Sequence, residues 1–351
     1  MTDKSNPTPA DIRAFRAENP KMRERDIAAQ LGVSEGALVA AECGLTAIRI
    51  DGSANKLLEH VASLGEVMAL TRNESAVHEK IGTFEKISMG PHSSIVLGSQ
   101  IDQRIFPSAW CHGFAVTKTD ADHKRLSLQY FDKAGTAVHK VHLRPESNVE
   151  AYHTIVDTLR LEDQSQEFHA EAIDTTRRST GNGPVDTTEL RDRWSKMTDT
   201  HQFFGILKKL NIARHDAIKS IGEDYAWQLA PTAVEDMMRA SAKGEVPIMV
   251  FVGNHGIIQI HGGPVSNIQP MGPWLNVMDP TFHLHLRTDH IAEIWAVRKP
   301  TADGHVTSLE VYDAAGEMII QYFGKRKEGV AEREEWRAIM EALPRATSVA
   351  A

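Results

Sequence analysis

Residues 113–141 read GFAVTKTDADHKRLSLQYFDKAGTAVHKV, and residues 294–322 read IWAVRKPTADGHVTSLEVYDAAGEMIIQY. Aligned at a constant offset of 181 positions, the two stretches share ten identities in 29 positions without a gap. The identical pairs are Ala115 and Ala296, Val116 and Val297, Lys118 and Lys299, Ala121 and Ala302, Asp122 and Asp303, Ser127 and Ser308, Leu128 and Leu309, Asp132 and Asp313, Ala134 and Ala315, and Gly135 and Gly316. These identities indicate an internal duplication, in which one structural unit occurs twice along the chain.

The duplication predicts two homologous repeats, residues 1–165 and residues 188–351, joined by a linker over residues 166–187. The connecting stretch is polar and rich in Thr, Gly and Ser, which is typical of linkers. In each repeat, helical patterns precede alternating strand-like runs, and the segments YFDKAGTAV and VYDAAGEMI have the pattern of hairpins. Helices followed by hairpin strands predict an α+β fold with antiparallel sheets, whereas parallel βαβ units are not indicated.

The composition is that of a soluble globular protein, because 41% of the 351 residues are hydrophobic and 25% are charged. The net charge of -8 argues against broad binding to nucleic acid or to anionic membranes. The two cysteines, Cys43 and Cys111, form no CxxC motif and suit a reducing compartment. The N-terminal stretch MTDKSNPTPADIRAF lacks the apolar segment of a signal peptide, and no run of about 18 apolar residues occurs. We therefore expect a cytoplasmic protein without membrane insertion.

Residues 26–43, DIAAQLGVSEGALVAAEC, imitate a DNA-binding helix-turn-helix, with a Leu-Gly-Val turn and a serine cap before the second helix. A recognition helix needs basic side chains to contact the phosphate backbone. The second helix, SEGALVAAEC, carries two glutamates and neither Lys nor Arg. The sequence therefore predicts no nucleic-acid partner.

The segment FHLHLRTDH contains His283, His285 and His290. Two histidines in an HxH pattern on a strand lie on one face, as in some zinc sites, and His290, Asp289 or His261 would be the third ligand. A half-buried sheet face is the competing interpretation, and the spacing corresponds to no known zinc motif. A zinc-binding or regulatory protein therefore stays a remote alternative.

Residues 198–211, TDTHQFFGILKKLN, predict a helix, because Thr198, Asp199 and Thr200 are good N-cap residues and an apolar-periodic run follows. At about 100° per residue, one face of this helix is an ordinary apolar stripe. The stripe contains Phe203, Ile206, Leu207 and Leu210, and the opposite face contains His201, Phe204, Gly205 and Lys208. The second face is therefore unusual for a solvent-exposed surface.

Two interpretations of this face remain open from the pattern alone. In the first interpretation, His201 is a surface or capping histidine. In the second, Gly205, which costs a helix about 1 kcal/mol relative to Ala, leaves room for a flat ligand. Phe204 would offer an apolar edge and Lys208 a cation for an anionic group. Haem combines a planar ring, a metal and carboxylates, and imidazole is a common axial ligand of its iron.

The sequence as a whole resembles the bacterial cytoplasmic haemin transport and haemin-degrading factors of the HemS/HmuS/ChuS type. The resemblance covers nearly the full chain and is carried by NPKMRERDIAAQLGVSEGALVAA, RNESAVHEKIG, TDTHQFFGILKKL, GPWLNVMDPTFHLHLR, AEIWAVRKP and FGKRKEG. It implies two repeats, each with a large antiparallel sheet flanked by helices. Haem would lie between the sheet and the helices of the second repeat, with groups of the first repeat reaching over it.

The resemblance also implies roles for single residues. His201, in the family's DTHQFF motif, would be the proximal iron ligand, and Arg104, in IDQRIF, would occupy the distal, catalytic side. Arg214 and Lys299 would contact the propionates, with Gln321 as a weaker candidate. Phe251 would form an apolar wall, and His78 would be an alternative iron ligand. We add Lys208 as a propionate partner and Phe204 as a ring contact from the helical pattern.

The two repeats differ at the positions that matter for this site. An offset of 179 places Met22 opposite His201, and the offset of 181 places His285 opposite Arg104. The first repeat therefore lacks the equivalent of the proximal histidine. We expect one principal haem site, in the second repeat, that uses one key group from each repeat.

These observations predict a haem-binding protein of iron acquisition that takes up imported haem b and delivers it onward. Its partners would be an inner-membrane haem importer and a haem oxygenase. The alternative main role is an enzyme of the haem oxygenase kind that opens the ring and releases iron. No flavin or nicotinamide motif is present, so electrons for that reaction would come from outside.

Overall fold

A computed structural model describes residues 7–120, 123–173, 185–327 and 329–346 of the chain. The helices are α1 (Pro9–Glu18), α2 (Glu24–Leu31), α3 (Glu35–Ala40), α4 (Ala54–Leu58), α5 (Val149–Leu159), α6 (Thr187–Ser195), α7 (Gln202–Leu210), α8 (Arg214–Ser220), α9 (Ala233–Lys243) and α10 (Glu334–Ala342). Short 3-10 turns occur at Val61–Leu64, Pro107–Ala109 and Thr288–His290.

The strands of the first half are β1 (Ala47–Ile50), β2 (Val67–Arg72), β3 (Ala76–Gly82), β4 (Ile87–Ser88), β5 (Ser94–Leu97), β6 (Asp102–Ile105), β7 (His112–Asp120), β8 (His123–Phe131) and β9 (Ala137–Leu143). Those of the second half are β10 (Ala226–Leu229), β11 (Ile248–Gly253), β12 (Ile257–Gly263), β13 (Ile268–Met271), β14 (Trp274–Asp279), β15 (Phe282–Arg287), β16 (Glu293–Thr301), β17 (Gly304–Tyr312) and β18 (Met318–Gly324). Over the described residues, each half therefore has three helices, a strand, a helix, eight strands and a last helix. The predicted duplication and the α+β class are confirmed.

The strands form two nine-stranded antiparallel sheets, in the orders β1-β7-β8-β9-β2-β3-β15-β14-β13 and β10-β16-β17-β18-β11-β12-β6-β5-β4. Each sheet contains six strands from one half of the sequence and three from the other. The prediction of a large antiparallel sheet flanked by helices for each half is confirmed, while this exchange of three strands is new. Strand β6, which carries Arg104, belongs to the second sheet.

The chain forms two compact units that do not follow the sequence halves strictly. Unit 1 contains Met1–Arg72, Glu79–Ile173 and Gly253–Gln259, and unit 2 contains Asn73–His78, Asp174–Val252 and Ile260–Ala351. The predicted repeat boundaries, 1–165 and 188–351, stay a prediction. Residues 174–184 of the predicted linker, 166–187, and the duplicated positions Ala121 and Asp122 lie outside the described residues.

The duplicated hairpins of β8–β9 and β17–β18 explain part of the sequence identity. Oδ1 of Asp132 accepts the backbone N–H groups of Ala134 and Thr136 at 2.9 Å, and Oδ1 of Asp313 accepts those of Ala315 and Glu317 at 2.9 Å. Gly135 and Gly316 have φ of 79° and 77°, in the left-handed region that favours glycine. The D-x-A-G pattern is therefore retained in both repeats because it builds the same turn twice.

Helix α3 has a packing role in unit 1. Four of its six residues are buried: Gly36, Leu38, Val39 and Ala40. A side chain at Gly36 would meet the ring of Phe168 at 2.8 Å. The second helix of the helix-turn-helix mimic is therefore part of the core and is not available to enter a DNA groove.

Residues 161–173, which include the start of the predicted linker, contain no helix or strand but are bound to unit 1. The guanidinium of Arg49 donates to the carbonyl oxygens of Ser165 and Glu167, both at 2.9 Å. Arg13 donates to Oε1 of Gln166 at 2.8 Å. Hydrogen bonds therefore hold this part of the segment against the rest of unit 1, although most of its residues are exposed.

Unit 2 packs helices on both faces of its strands. One apolar cluster contains residues of α9 and α10 with Leu309, Val311 and Tyr322. A second contains residues of α6, α7 and α8 with Val297 and Tyr312. Because successive strand residues point to opposite faces, β17 separates these two cores. None of the described helices has the length and apolar character needed to cross a bilayer.

Candidate functional site

Helix α7 buries the stripe that the sequence predicted. Phe203 and Leu207 are buried, and Ile206 and Leu210 pack against the same core. The ring of Phe203 meets that of Trp194 edge-on, with centroids 4.7 Å apart. Asn211, at φ 52°, ends the helix in a left-handed cap. This packing fixes the opposite face of α7 towards the outside of the unit.

The opposite face of α7 is open and carries His201, Phe204, Gly205 and Lys208. Phe204 is 76% exposed, the largest value among the exposed large hydrophobic side chains described. A Cβ added at Gly205 would meet nothing within 4 Å. An exposed aromatic ring beside an empty patch of helix surface suits an apolar ligand, because it leaves apolar area to be buried on binding.

His201 stands at the start of α7 with a fixed ring. Its side chain is 87% exposed, and its Nδ1 lies 2.7 Å from Oδ1 of Asp199. The same oxygen accepts the backbone N–H of His201 at 2.7 Å. These two hydrogen bonds, the backbone one first, lower the pKa of Asp199. Because an ionised carboxylate only accepts, Nδ1 is the donor to Asp199, and in the neutral imidazole Nε2 then has the lone pair that a ligand needs.

A buried carboxylate organises the residues expected near the propionates. Glu310, on β17, is 0% exposed. Arg214 donates to it through Nε at 2.9 Å and Nη2 at 2.7 Å, and Lys299 donates through Nζ at 2.8 Å. Gln321 donates through Nε2 at 2.8 Å. We call Glu310, Arg214, Lys299, Gln321, Tyr312 and Ser308 the Glu310 cluster.

The charged groups of the Glu310 cluster stabilise one another in their ionised forms. Burial alone would raise the pKa of Glu310, but Arg214 and Lys299 beside it hold that pKa well below its ordinary value. Burial lowers the pKa of Lys299 to about 8, against the attraction of Glu310. Burial also opposes the charge of Arg214, but Glu310 raises its pKa above the ordinary value. The carboxylate is therefore ionised, and both bases are cations at neutral pH.

Helix α7 and the Glu310 cluster meet at Phe203. Nζ of Lys299 lies 4.8 Å and the guanidinium carbon of Arg214 5.1 Å from the centroid of the Phe203 ring. Cations at such distances are attracted to the face of an aromatic ring. The helix that presents His201 is therefore coupled directly to the cationic cluster within unit 2.

Phe251 extends this surface along the sheet. Trp295, Glu310, Gln321 and Phe251 are direct partners on the neighbouring strands β16, β17, β18 and β11. Direct partners in antiparallel strands share a face of the sheet. Phe251 is half-buried, and its ring meets Phe323 at 5.2 Å. An aromatic pair therefore lies beside the cationic cluster on the same face.

The structure gives the local surroundings of two further predicted site residues, Arg104 and His78. Arg104, on β6 in unit 1, is paired with the carboxylate of Asp102 and donates to the carbonyl oxygen of Gln103 at 3.2 Å. Its side chain is 36% exposed, so part of it is accessible to a ligand. His78, on β3, is wholly buried, with its ring 4.9 Å from that of Phe282. His78 therefore packs against Phe282, and its role as an alternative iron ligand stays a prediction.

The histidines of FHLHLRTDH do not converge. Nδ1 of His285 lies 2.7 Å from Oδ1 of Asn276, and Nδ1 of His290 lies 3.0 Å from Oγ of Ser75. Asp289 is paired with Arg287, and His261 stacks on Phe282 at 3.9 Å. Within the described ranges, no group of three His, Cys, Asp or Glu residues is arranged to hold a metal ion. The zinc interpretation therefore has no ligand set among these residues.

Glu310 and Tyr312 were not among the site residues predicted from the sequence, and Asp199 was predicted only as a helix cap. One signal was present for Glu310, because the offset of 181 pairs it with Gln129. Glu310 is charged, whereas Gln129 has a neutral amide, and such a difference between the repeats indicates a difference in function. For Asp199, its spacing of two residues before His201 was the signal, since a carboxylate commonly orients a ligating imidazole.

Comparisons with known proteins agree on one family. The model of the haemin-degrading HemS/ChuX domain matches twice, at residues 32–159 and 211–343. The hemin transport protein HmuS of Yersinia pestis is 35% identical over 331 residues, which are 92% of this chain and 93% of that protein.

Solved structures give the same result over nearly the full length. Holo-PhuS, a heme-binding protein from Pseudomonas aeruginosa, is 40% identical, with a TM-score of 0.89 over 97% of this chain and 100% of that one. ChuS, described as an E. coli heme oxygenase, is 34% identical, with a TM-score of 0.85 over 95% of this chain and 99% of that one.

Proposed function

Because the chain belongs to the haemin-degrading HemS/ChuX family, we propose that it is a cytoplasmic haem-binding protein of iron acquisition, which sequesters imported haem and delivers it onward. One observation carries this proposal most directly: the exposed His201, whose Nδ1 is held by Asp199 at 2.7 Å beside the open face of α7. An imidazole oriented by a carboxylate is a typical metal ligand. Next to it lie an exposed aromatic ring and a cationic cluster, which suit a porphyrin and its propionates.

The described residues of this surface would suit haem b as the cargo. Nε2 of His201 would bind the iron, and Phe204 and Phe251 would pack against the ring. Arg214, Lys299 and Gln321 would bind a propionate, where charge-assisted hydrogen bonds are strong. Lys208 would pair with the second propionate, and Arg104 would stand on the distal side of the iron. Apolar contacts around the ring would exclude water from the iron.

A haem titration tests this proposal. We expect a shifted and intensified Soret band that saturates at one haem per chain, because only the second repeat has the proximal histidine. The partners we propose are an inner-membrane haem importer as donor and a haem oxygenase as acceptor. If haem gave no Soret shift, the proposed function would be wrong.

Replacing Asp199 with asparagine is expected to weaken haem binding by about 10–100-fold, because the imidazole loses the carboxylate that orients it and raises its basicity. Competition with a haem scavenger measures this change. The matched control is Asp186→Asn in the same unit. Oδ1 of Asp186 also accepts two N–H groups, from Thr188 and Glu189, but caps α6 and contacts no histidine. Equal losses in both variants would show that Asp199 is only a cap.

Haem degradation is the alternative main role, and the similarity to ChuS, described as a heme oxygenase, favours it. The same site would then open the ring with oxygen and an external electron donor. Incubating the haem complex with a reductant, with catalase present to remove peroxide, separates the two roles. For a carrier we expect the Soret band to persist. Loss of the band with a bilin-like product would assign the degrading activity to this chain.

A further inference from the structure

The Glu310 carboxylate is surrounded by more hydrogen-bond donors than it can satisfy. Four donors lie near Oε1: Arg214 Nη2 at 2.7 Å, Lys299 Nζ and Gln321 Nε2 at 2.8 Å, and Ser308 Oγ at 2.9 Å. Two lie near Oε2: Tyr312 OH at 2.6 Å and Arg214 Nε at 2.9 Å. A carboxylate offers about four lone-pair positions. Six donor atoms therefore share about four lone-pair positions, so the cluster has donor capacity for a second carboxylate.

The charges of the same cluster leave one positive charge uncompensated. Arg214 and Lys299 are cations, Glu310 is an anion, and Gln321, Ser308 and Tyr312 are neutral. Burial raises the pKa of Tyr312 well above its ordinary value, so its hydroxyl keeps the proton. The surplus of donors and the surplus of charge therefore agree: both match one additional carboxylate.

We propose that Glu310 occupies the place of one carboxylate in this cluster and so limits the cluster to a single propionate of the bound haem. Without Glu310, Arg214 and Lys299 would neutralise both propionates at one place. With Glu310 present, the second propionate is directed elsewhere, and Lys208, an exposed cation on the same face of α7 as His201, is the candidate. Glu310 is thus a positioning residue that fixes the orientation of the haem. This inference rests on the proposed haem-binding function.

The first repeat shows that the fold accepts a neutral residue at this position. Gln129, the counterpart of Glu310, is buried and donates to Oγ of Ser127 at 3.0 Å. Lys118, the counterpart of Lys299, is paired with Glu24 of α2 at 2.6 Å. The repeat without a proximal histidine therefore also lacks the buried carboxylate on the strand. This correlation indicates that Glu310 serves the ligand rather than the fold.

Comparing haem with haem dimethyl ester tests the proposal, because the ester has the same ring and iron but no propionate charges. The quantity measured is the affinity for haem divided by the affinity for the ester, both taken from Soret titrations. In Glu310→Gln we expect this ratio to rise about tenfold over wild type, because a like charge beside the propionate is removed. A general loss of folding weakens both ligands and leaves the ratio unchanged.

Two further variants complete the test. In Lys299→Met the positive charge of Arg214 and the negative charge of Glu310 cancel, so the ratio is expected to fall about tenfold. This variant provides the test if Glu310→Gln does not fold. Glu332→Gln is the matched control, because Glu332 is a buried carboxylate paired with Arg337 at 3.2 Å, and its ratio should equal that of wild type. An unchanged ratio in a Glu310→Gln or Lys299→Met variant whose unfolding curve shows that it is folded would overturn the proposal. If wild type itself fails to bind haem, the proposed function fails instead.

Discussion

Replacing His201 with alanine is expected to lower the affinity for haem by at least about 100-fold, because the loss of a ligand exceeds the loss of its outer partner. The imidazole lies 87% exposed at the start of α7 and packs into no core. We therefore expect the free energy of unfolding to change by less than about 0.5 kcal/mol. A loss of binding without a loss of stability identifies a ligand.

The chain offers a matched control for this variant. His169 is 90% exposed and lies beside a carboxylate as His201 does, with its Nε2 3.9 Å from Glu167. It belongs to unit 1, and the proposed site does not contain it. His169→Ala should keep the wild-type haem spectrum and affinity. An unaltered spectrum in His201→Ala would move the iron to a different ligand.

The local features of this site were predictable because they depend on short-range geometry. The helical period alone separated the buried Phe203 and Leu207 from the exposed His201 and Phe204, and the structure confirms that separation. The repeated Asp and Gly of the two hairpins likewise predicted a turn that occurs twice. In both cases the residues that define the feature lie within one or two turns of chain.

Features that depend on distant residues were not predictable. An alternating strand pattern shows which side chains share a face, but not which strand lies alongside, so the exchange of β13–β15 and β4–β6 between the sheets left no signal. In the sequence, Glu310 is one polar residue in the strand-like run SLEVY, and the pattern of that run does not indicate its contacts. Its burial depends on Arg214 from α8 and Gln321 from β18, which only the folded chain brings together.

Replacing Arg214 with methionine is expected to lower the free energy of unfolding by about 3 kcal/mol, because it leaves the buried Glu310 carboxylate without its bidentate partner. Lys299 and Tyr312 still donate to that carboxylate, which keeps the loss at the lower end of the usual range. We also expect weaker haem binding, since the cluster loses its net positive charge. Chemical denaturation and a haem titration measure the two effects separately.

The exposed pair of Arg239 and Glu235 provides the contrast for this prediction. Its shortest distance, 2.6 Å, is slightly less than the 2.7 Å between Arg214 and Glu310, but Arg239 is 52% exposed whereas Glu310 is 0% exposed. Arg239→Met should therefore cost less than about 0.5 kcal/mol, as exposed ion pairs do. Equal losses in the two arginine variants would mean that burial of Glu310 does not determine the strength of the pair.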